Sequence, residues 1–305
     1  MSDSPSAVTP VNPSAFQPTH PFDKAAGADA ILRSSDGADF YVHRAILSLV
    51  SPVFESMFRL PQPQDSAPEH IDLPVIDVTE TSSALDRALR VFYPGTYPAD
   101  PQTLAELGEA IEVLMKYDVE CQVPVLKRHL AYHHASSPLS VYAIAIRHGW
   151  RDAALVAARQ CLKQPLRSTF TDHPRELDGI TGSAYQNLLE YHHTCGEVAR
   201  NTAASPTWLT LPPSNCGCHK ASAPIIFANN QTLNVAAWLH KYLTDTGDIL
   251  ARCPGVNVSQ AASLNAAITH PNTCGYCAQF DLLHFLTLPL SQQIKVELDR
   301  VELKF

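Results

Sequence analysis

No part of this 305-residue chain constrains its fold more than residues 28–58, ADAILRSSDGADFYVHRAILSLVSPVFESMF. Ala30-Ile31-Leu32 is a short apolar run that suits a strand. Ser34-Ser35-Asp36-Gly37 is turn chemistry, with Gly37 free to take positive φ. Asp39-Phe40-Tyr41-Val42, aromatic and β-branched, suits the returning strand of a hairpin. Ala45, Ile46, Leu49, Val53 and Phe54 then recur at helical spacing, with Met57 and Phe58 completing the face. Ser51-Pro52 restarts the helix as N-cap and first residue.

The order and spacing of Asp29, the first strand, Gly37, Phe40, His43-Arg44-Ala45-Ile46-Leu47, Ser51-Pro52-Val53-Phe54 and Met57-Phe58 closely resemble the opening of a BTB/POZ domain. That resemblance implies an α+β protein-interaction module, often dimeric, with no chemistry of its own. It also implies that Asp29 and Arg44 lie near a charged pocket at the subunit interface.

The following residues extend the resemblance. Residues 60–69 carry three prolines and no periodicity, so they read as a loop. His70-Ile71-Asp72-Leu73-Pro74 is the expected third strand. Ala84, Leu85, Ala88, Leu89 and Phe92 share a helix face, and Tyr93-Pro94-Gly95 breaks the helix. The next helix begins at Asp100-Pro101, or equally at Thr103, which with Glu106 forms a capping box. Its face is Leu104, Leu107, Ile111 and Leu114. Val123, Leu126 and Leu130 start another helix, and the domain is expected to span residues 24–132. Residues 1–23, rich in Pro and Ser, read as a disordered tail with neither the basic nor the apolar region of a signal peptide.

A mostly α-helical C-terminal region is expected to follow. Residues 133–182 read as a helical extension with a linker; Ser137-Pro138 starts its first helix, which runs through Arg147, and Ala154, Leu155, Ala158 and Leu162 mark a second. Residues 183–305 read as a helical region with a cysteine/histidine cluster. There Tyr185, Leu188, Leu189, His192, Cys195 and Ala199 share a stripe. A helix is predicted near residues 231–244 from Val235, Trp238, Leu239 and Tyr242. A short helix follows from Ser259 to Ile268, and a last one carries Ile294, Leu298, Val301 and Phe305. The segment 174–195 resembles the second half of fungal BTB proteins.

Hydrophobic residues make up 45% of the chain and charged residues 17%, which is a globular balance. The formal net charge is −8, with only 22 Lys and Arg and no basic cluster, so direct nucleic-acid binding is not expected. No run of about eighteen apolar residues suits a membrane span. Since no signal peptide is read at residues 1–23, the eight cysteines are expected to be reduced, in the cytoplasm or nucleus.

Six of those cysteines lie beyond residue 190. Cys274-Gly275-Tyr276-Cys277 has the spacing with which two thiolates reach one zinc ion. Cys216-x-Cys218 is tighter, and His192 and Cys195 share a helix face. One structural zinc is the expectation, held by Cys274 and Cys277 with two more ligands from Cys195, Cys216, Cys218 and His192. Cys253, His219 and His270 stand in reserve. The competing reading is that the thiols are buried as small hydrophobes and the histidine is a satisfied core residue.

No H-E-x-x-H, G-x-S-x-G, P-loop or C₂H₂ zinc-finger spacing occurs, and no kelch-like repeat. The expected function is thus non-enzymatic: protein partners and a homodimer, as an adaptor in ubiquitin ligation or transcriptional regulation. Ligase adaptors of this family often carry an apolar-x-Glu motif before the third strand. Residues 59–69 hold no good match, which puts that role in doubt. The alternative reading is a metal-dependent or redox enzyme built on the C-terminal cysteines.

Overall fold

The computed structural model describes residues 16–24, 27–60, 73–94, 103–165, 174–204, 208, 222–226, 232–258 and 286–305. The chain divides into two compact units, Met1–Tyr132 and His133–Phe305.

In the first unit, β1 (Ala30–Arg33) pairs antiparallel with β2 (Asp39–Val42) and parallel with β3 (Val75–Asp77). β1 is the central strand of the order β2-β1-β3, and its Ala30, Ile31 and Leu32 are all buried. A strand covered on both faces needs an unbroken apolar run, whereas edge strand β2 alternates, with Phe40 and Val42 inward. Gly37 closes the hairpin at φ +84°. Arg33 and Asp39, opposite each other in the register, form a two-pronged ion pair at 2.7 and 3.0 Å. The carboxylate of Asp36 accepts from the backbone N–H and the hydroxyl of Ser82, tying the turn to the start of α3 (Ser82–Phe92).

The third strand is Val75–Asp77 rather than the expected residues 70–74. Leu73 and Pro74 precede it, and residues 70–72 lie outside the described ones. Proline has no N–H for a ladder. Pro74 contributes its carbonyl instead, accepting from Ile31 N–H at 2.9 Å, and the β-branched Val75-Ile76 carries the pairing. The packing also begins within the expected tail: Phe22 is fully buried against Phe40 and Tyr93, and its carbonyl accepts from Tyr41 N–H.

Among the described residues of this unit are four further α-helices: α1 (Arg44–Val50), α2 (Pro52–Arg59), α4 (Leu104–Lys116) and α5 (Val123–Tyr132). Ser51 caps α2 by accepting from Phe54 N–H at 3.0 Å, with Pro52 first in the helix, as expected. Thr103 and Glu106 form the capping box of α4; residues 100–102 are not described. Ala84, Leu85, Ala88 and Leu89 of α3 and Leu107, Ile111 and Leu114 of α4 are buried.

The second unit begins with α6 (Pro138–Arg147) and α7 (Arg151–Cys161), separated by Gly149 at φ +69°. The long α8 (Gly182–Ala204) packs along α9 (Ala237–Arg252), and α10 (Leu288–Leu298) lies against α8. Ala199, Ala203, Leu250, Val258, Leu290 and Ile294 form one core cluster.

Two expectations change here. The helix predicted near 231–244 starts only at Ala237. Before it, β4 (Ser222–Ile226) and β5 (Thr232–Ala236) form an antiparallel hairpin, with Val235 paired to Ala223. Thr232-Leu233-Asn234-Val235 alternates with period two, which competes with the helical spacing. The last helix ends at Leu298, so Val301 and Phe305 lie beyond it. Arg300 and Val301 donate to carbonyls three residues back, which tightens the chain out of the helix. The Arg151 guanidinium lies over the Phe305 ring, 5.5 Å from its centroid, a cation–π contact. The helix predicted over 259–268 lies outside the described residues.

Candidate interaction site

The apolar stripe of α1 exists, but it faces outward. Ala45, Ile46 and Leu49 are three and four apart, hence on one side of the helix. Ala45 is exposed and Ile46 half-buried, while Leu49 is 86% exposed, the highest value among the described large hydrophobics. Leu47 alone points into the core. A seven-residue helix that buries one leucine gains little from the core beneath it. Its position must be held by other contacts.

Those contacts sit at its N-terminus. The preceding residue, His43, offers no side-chain cap. Asp29 Oδ1 instead accepts from Arg44 N–H at 2.7 Å, and the Tyr93 hydroxyl accepts from His43 N–H at 2.8 Å. Two N–H groups that the helix leaves orphaned are thereby satisfied from distant segments. Burial pushes the Tyr93 hydroxyl up to about 12, so it stays protonated at neutral pH. The Arg44 guanidinium turns to α2, donating to Phe58 O at 2.8 Å and lying over the Phe58 ring at 5.1 Å.

Asp29 and Arg44 are therefore brought together within the chain, through a side chain-to-backbone bond and not as an ion pair. Tyr93, by sequence only a helix breaker, carries a second role here. No local pattern links it to His43, fifty residues away.

Of the candidate zinc ligands, His192 and Cys195 lie buried on one face of α8. His192 Nε2 is 3.1 Å from Gln164 O, and burial lowers the pKa of its ring. Burial pushes the Cys195 thiol up to about 11, and it takes a hydrogen bond from the Tyr191 hydroxyl. Cys161 is pushed up to about 12 by the same cause. Cys216, Cys218, Cys274 and Cys277 lie outside the described residues, as do His219 and His270. Among the described residues, no three His, Cys, Asp or Glu side chains gather as a metal site. No described helix is long and apolar enough to cross a membrane.

Residues 19–132 match the family model of the BTB/POZ domain. This domain is a protein–protein interaction module. The comparison with curated proteins returns no match.

Proposed function

We propose that this protein, whose residues 19–132 are a BTB/POZ domain, homodimerises through α1 and recruits protein partners as a non-catalytic adaptor, in ubiquitin ligation or transcriptional regulation. The observation that carries this reading is the outward face of α1. Leu49 and Ala45 project to solvent from a helix whose N-terminus Asp29 and Tyr93 hold fixed. A rigid, presented apolar face suits a two-fold contact between identical copies, because the same patch then covers itself. The cytoplasm or nucleus is the compartment that fits eight cysteines kept reduced.

The test is the mass of the full chain in solution. The wild-type protein sediments as a dimer, and Leu49→Lys sediments as a folded monomer with an unchanged circular dichroism spectrum. A wild-type monomer at micromolar concentration, or a Leu49→Lys dimer of undiminished affinity, overturns the reading.

One structural zinc is part of the same proposal. Cys274 and Cys277 supply two ligands, and the other two come from among Cys195, Cys216, Cys218 and His192. Cys195 already packs with Tyr191, and His192 Nε2 with Gln164, which favours Cys216 and Cys218. Metal analysis of purified protein should return about one equivalent of zinc; a small fraction of that removes it. The competing enzyme reading needs a thiolate or an open metal position. Burial keeps the Cys161 and Cys195 thiols protonated, which supports the non-catalytic one.

A further inference from the structure

The second unit contains a half-open cleft of about 440 Å³ where the end of α7, the middle of α8, the turn at residues 254–258 and α10 meet. That volume lies within the usual range for small-molecule sites, about 300–1,000 Å³. Leu162, Val256, Val258, Ile294 and Leu298 give it an apolar lining. Its charged lining groups are three cations, Arg159, Lys163 and Lys295, and one anion, Asp299. In a chain of net charge −8 this is a local excess of positive charge.

The walls are built rather than incidental. Gly255 N–H donates to Leu162 O at 2.9 Å, pinning the turn to the end of α7. The approach is so close that a Cβ on Gly255 would stand 3.0 Å from Leu162 Cβ and 3.3 Å from Lys163 Cγ. The stem of Lys163 thus lies against the turn at Gly255. Arg159 is oriented from both sides: its guanidinium meets Asp299 at 3.0 Å and hydrogen-bonds to the hydroxyl of Tyr191, which is 3% exposed. Asp299 is therefore engaged by Arg159. Lys163 and Lys295, both exposed, enter no ion pair among the described residues. Both line the cleft, so its positive charge lies beside apolar walls that concentrate a field.

We propose that this cleft binds a small organic carboxylate with an apolar body. The body lies on Leu162, Val258 and Ile294, and the carboxylate meets Lys163 and Lys295. A neutral or cationic molecule of the same shape would gain only the apolar contact.

Isothermal titration of the full-length protein tests this with three probes of one chain length: octanoate, octanol and octylammonium. Octanoate should bind saturably and more tightly than the other two. The exposed pair Lys163→Gln/Lys295→Gln should weaken octanoate about ten-fold and leave octanol unchanged. Equal binding of all three probes, or no saturable binding of octanoate, overturns the proposal on the wild-type protein alone. Undiminished octanoate binding by the folded double variant overturns it as well.

Discussion

The carboxylate of Asp29 caps the backbone of Arg44, at 2.7 Å across fifteen residues of sequence. Losing a helix cap typically costs about 1 kcal/mol. Asp29→Ala should lower the stability of the first unit by that amount in urea denaturation. Asn caps as well as Asp, so Asp29→Asn should keep most of it. The two variants thereby separate the cap from any role of the charge at a dimer contact. Sedimentation of Asp29→Ala/Arg44→Gln then reads the contact itself: an unaltered dimer removes the interface role from both residues.

How far does the sequence alone lead here? The hairpin, the Ser51-Pro52 helix restart and the Thr103–Glu106 capping box are all legible, because each rests on residues within a few positions of one another. The stripe Ala45-Ile46-Leu49 is legible as a stripe but not in its direction. Periodicity groups residues on a face; whether that face meets core or solvent depends on what the rest of the chain brings against it. The Asp29–Arg44 and His43–Tyr93 bonds are not legible in their atoms, since both end on backbone N–H groups that carry no sequence signal. In the second unit, β4 and β5 escape a sequence reading because short strands of mixed polarity compete poorly with a helical reading of neighbouring residues. The cleft at Lys163 and Lys295 joins segments more than a hundred residues apart, and nothing local announces it.

Phe54 tests the core under α2. It is 2% exposed, stacked on Tyr117 with ring centroids 4.3 Å apart and on Phe58 at 6.3 Å. Phe54→Ala should cost about 3–5 kcal/mol, the transfer term plus the cavity left beside the Tyr117 and Phe58 rings. An unchanged urea midpoint for the variant would mean that this face of α2 is not in the core.

Acid should destabilise the first unit through Glu80. Burial works to raise this carboxyl, but hydrogen bonds from Lys116 and from the Tyr117 hydroxyl, the latter at 2.7 Å, outweigh it and hold the carboxyl below its ordinary value. Asp36 is held low as well, by the hydroxyls of Ser34 and Ser82. A carboxyl whose folded value is depressed contributes stability that is present above its unfolded value, about 4.3 for Glu, and lost as pH falls through the folded value. Urea midpoints should therefore hold steady from about pH 7 to about pH 5 and drop below that. In Glu80→Gln the protein should be weaker at neutral pH and its drop in acid shallower. An acid drop identical to that of the wild type would exclude Glu80 as a source.

The contact between α8 and α9 offers two glycines with opposite expected responses. A Cβ on Gly196 would come within 2.5 Å of the backbone oxygen of Ala251, so the helices can approach as they do only without it. Alanine gains about 1 kcal/mol over glycine inside a helix, but overpacking against a backbone that cannot rotate away costs about 1–3 kcal/mol. Gly196→Ala should therefore come out destabilised. At Gly247, on the facing helix, a Cβ would meet Arg200 and Ala203 no closer than 3.6 Å, an ordinary contact. There the propensity gain stands unopposed, and Gly247→Ala should raise the thermal midpoint. Thermal unfolding of both variants, followed by circular dichroism, checks the pair together. If Gly196→Ala proved as stable as Gly247→Ala, the two helices would lie farther apart than the Gly196–Ala251 contact requires.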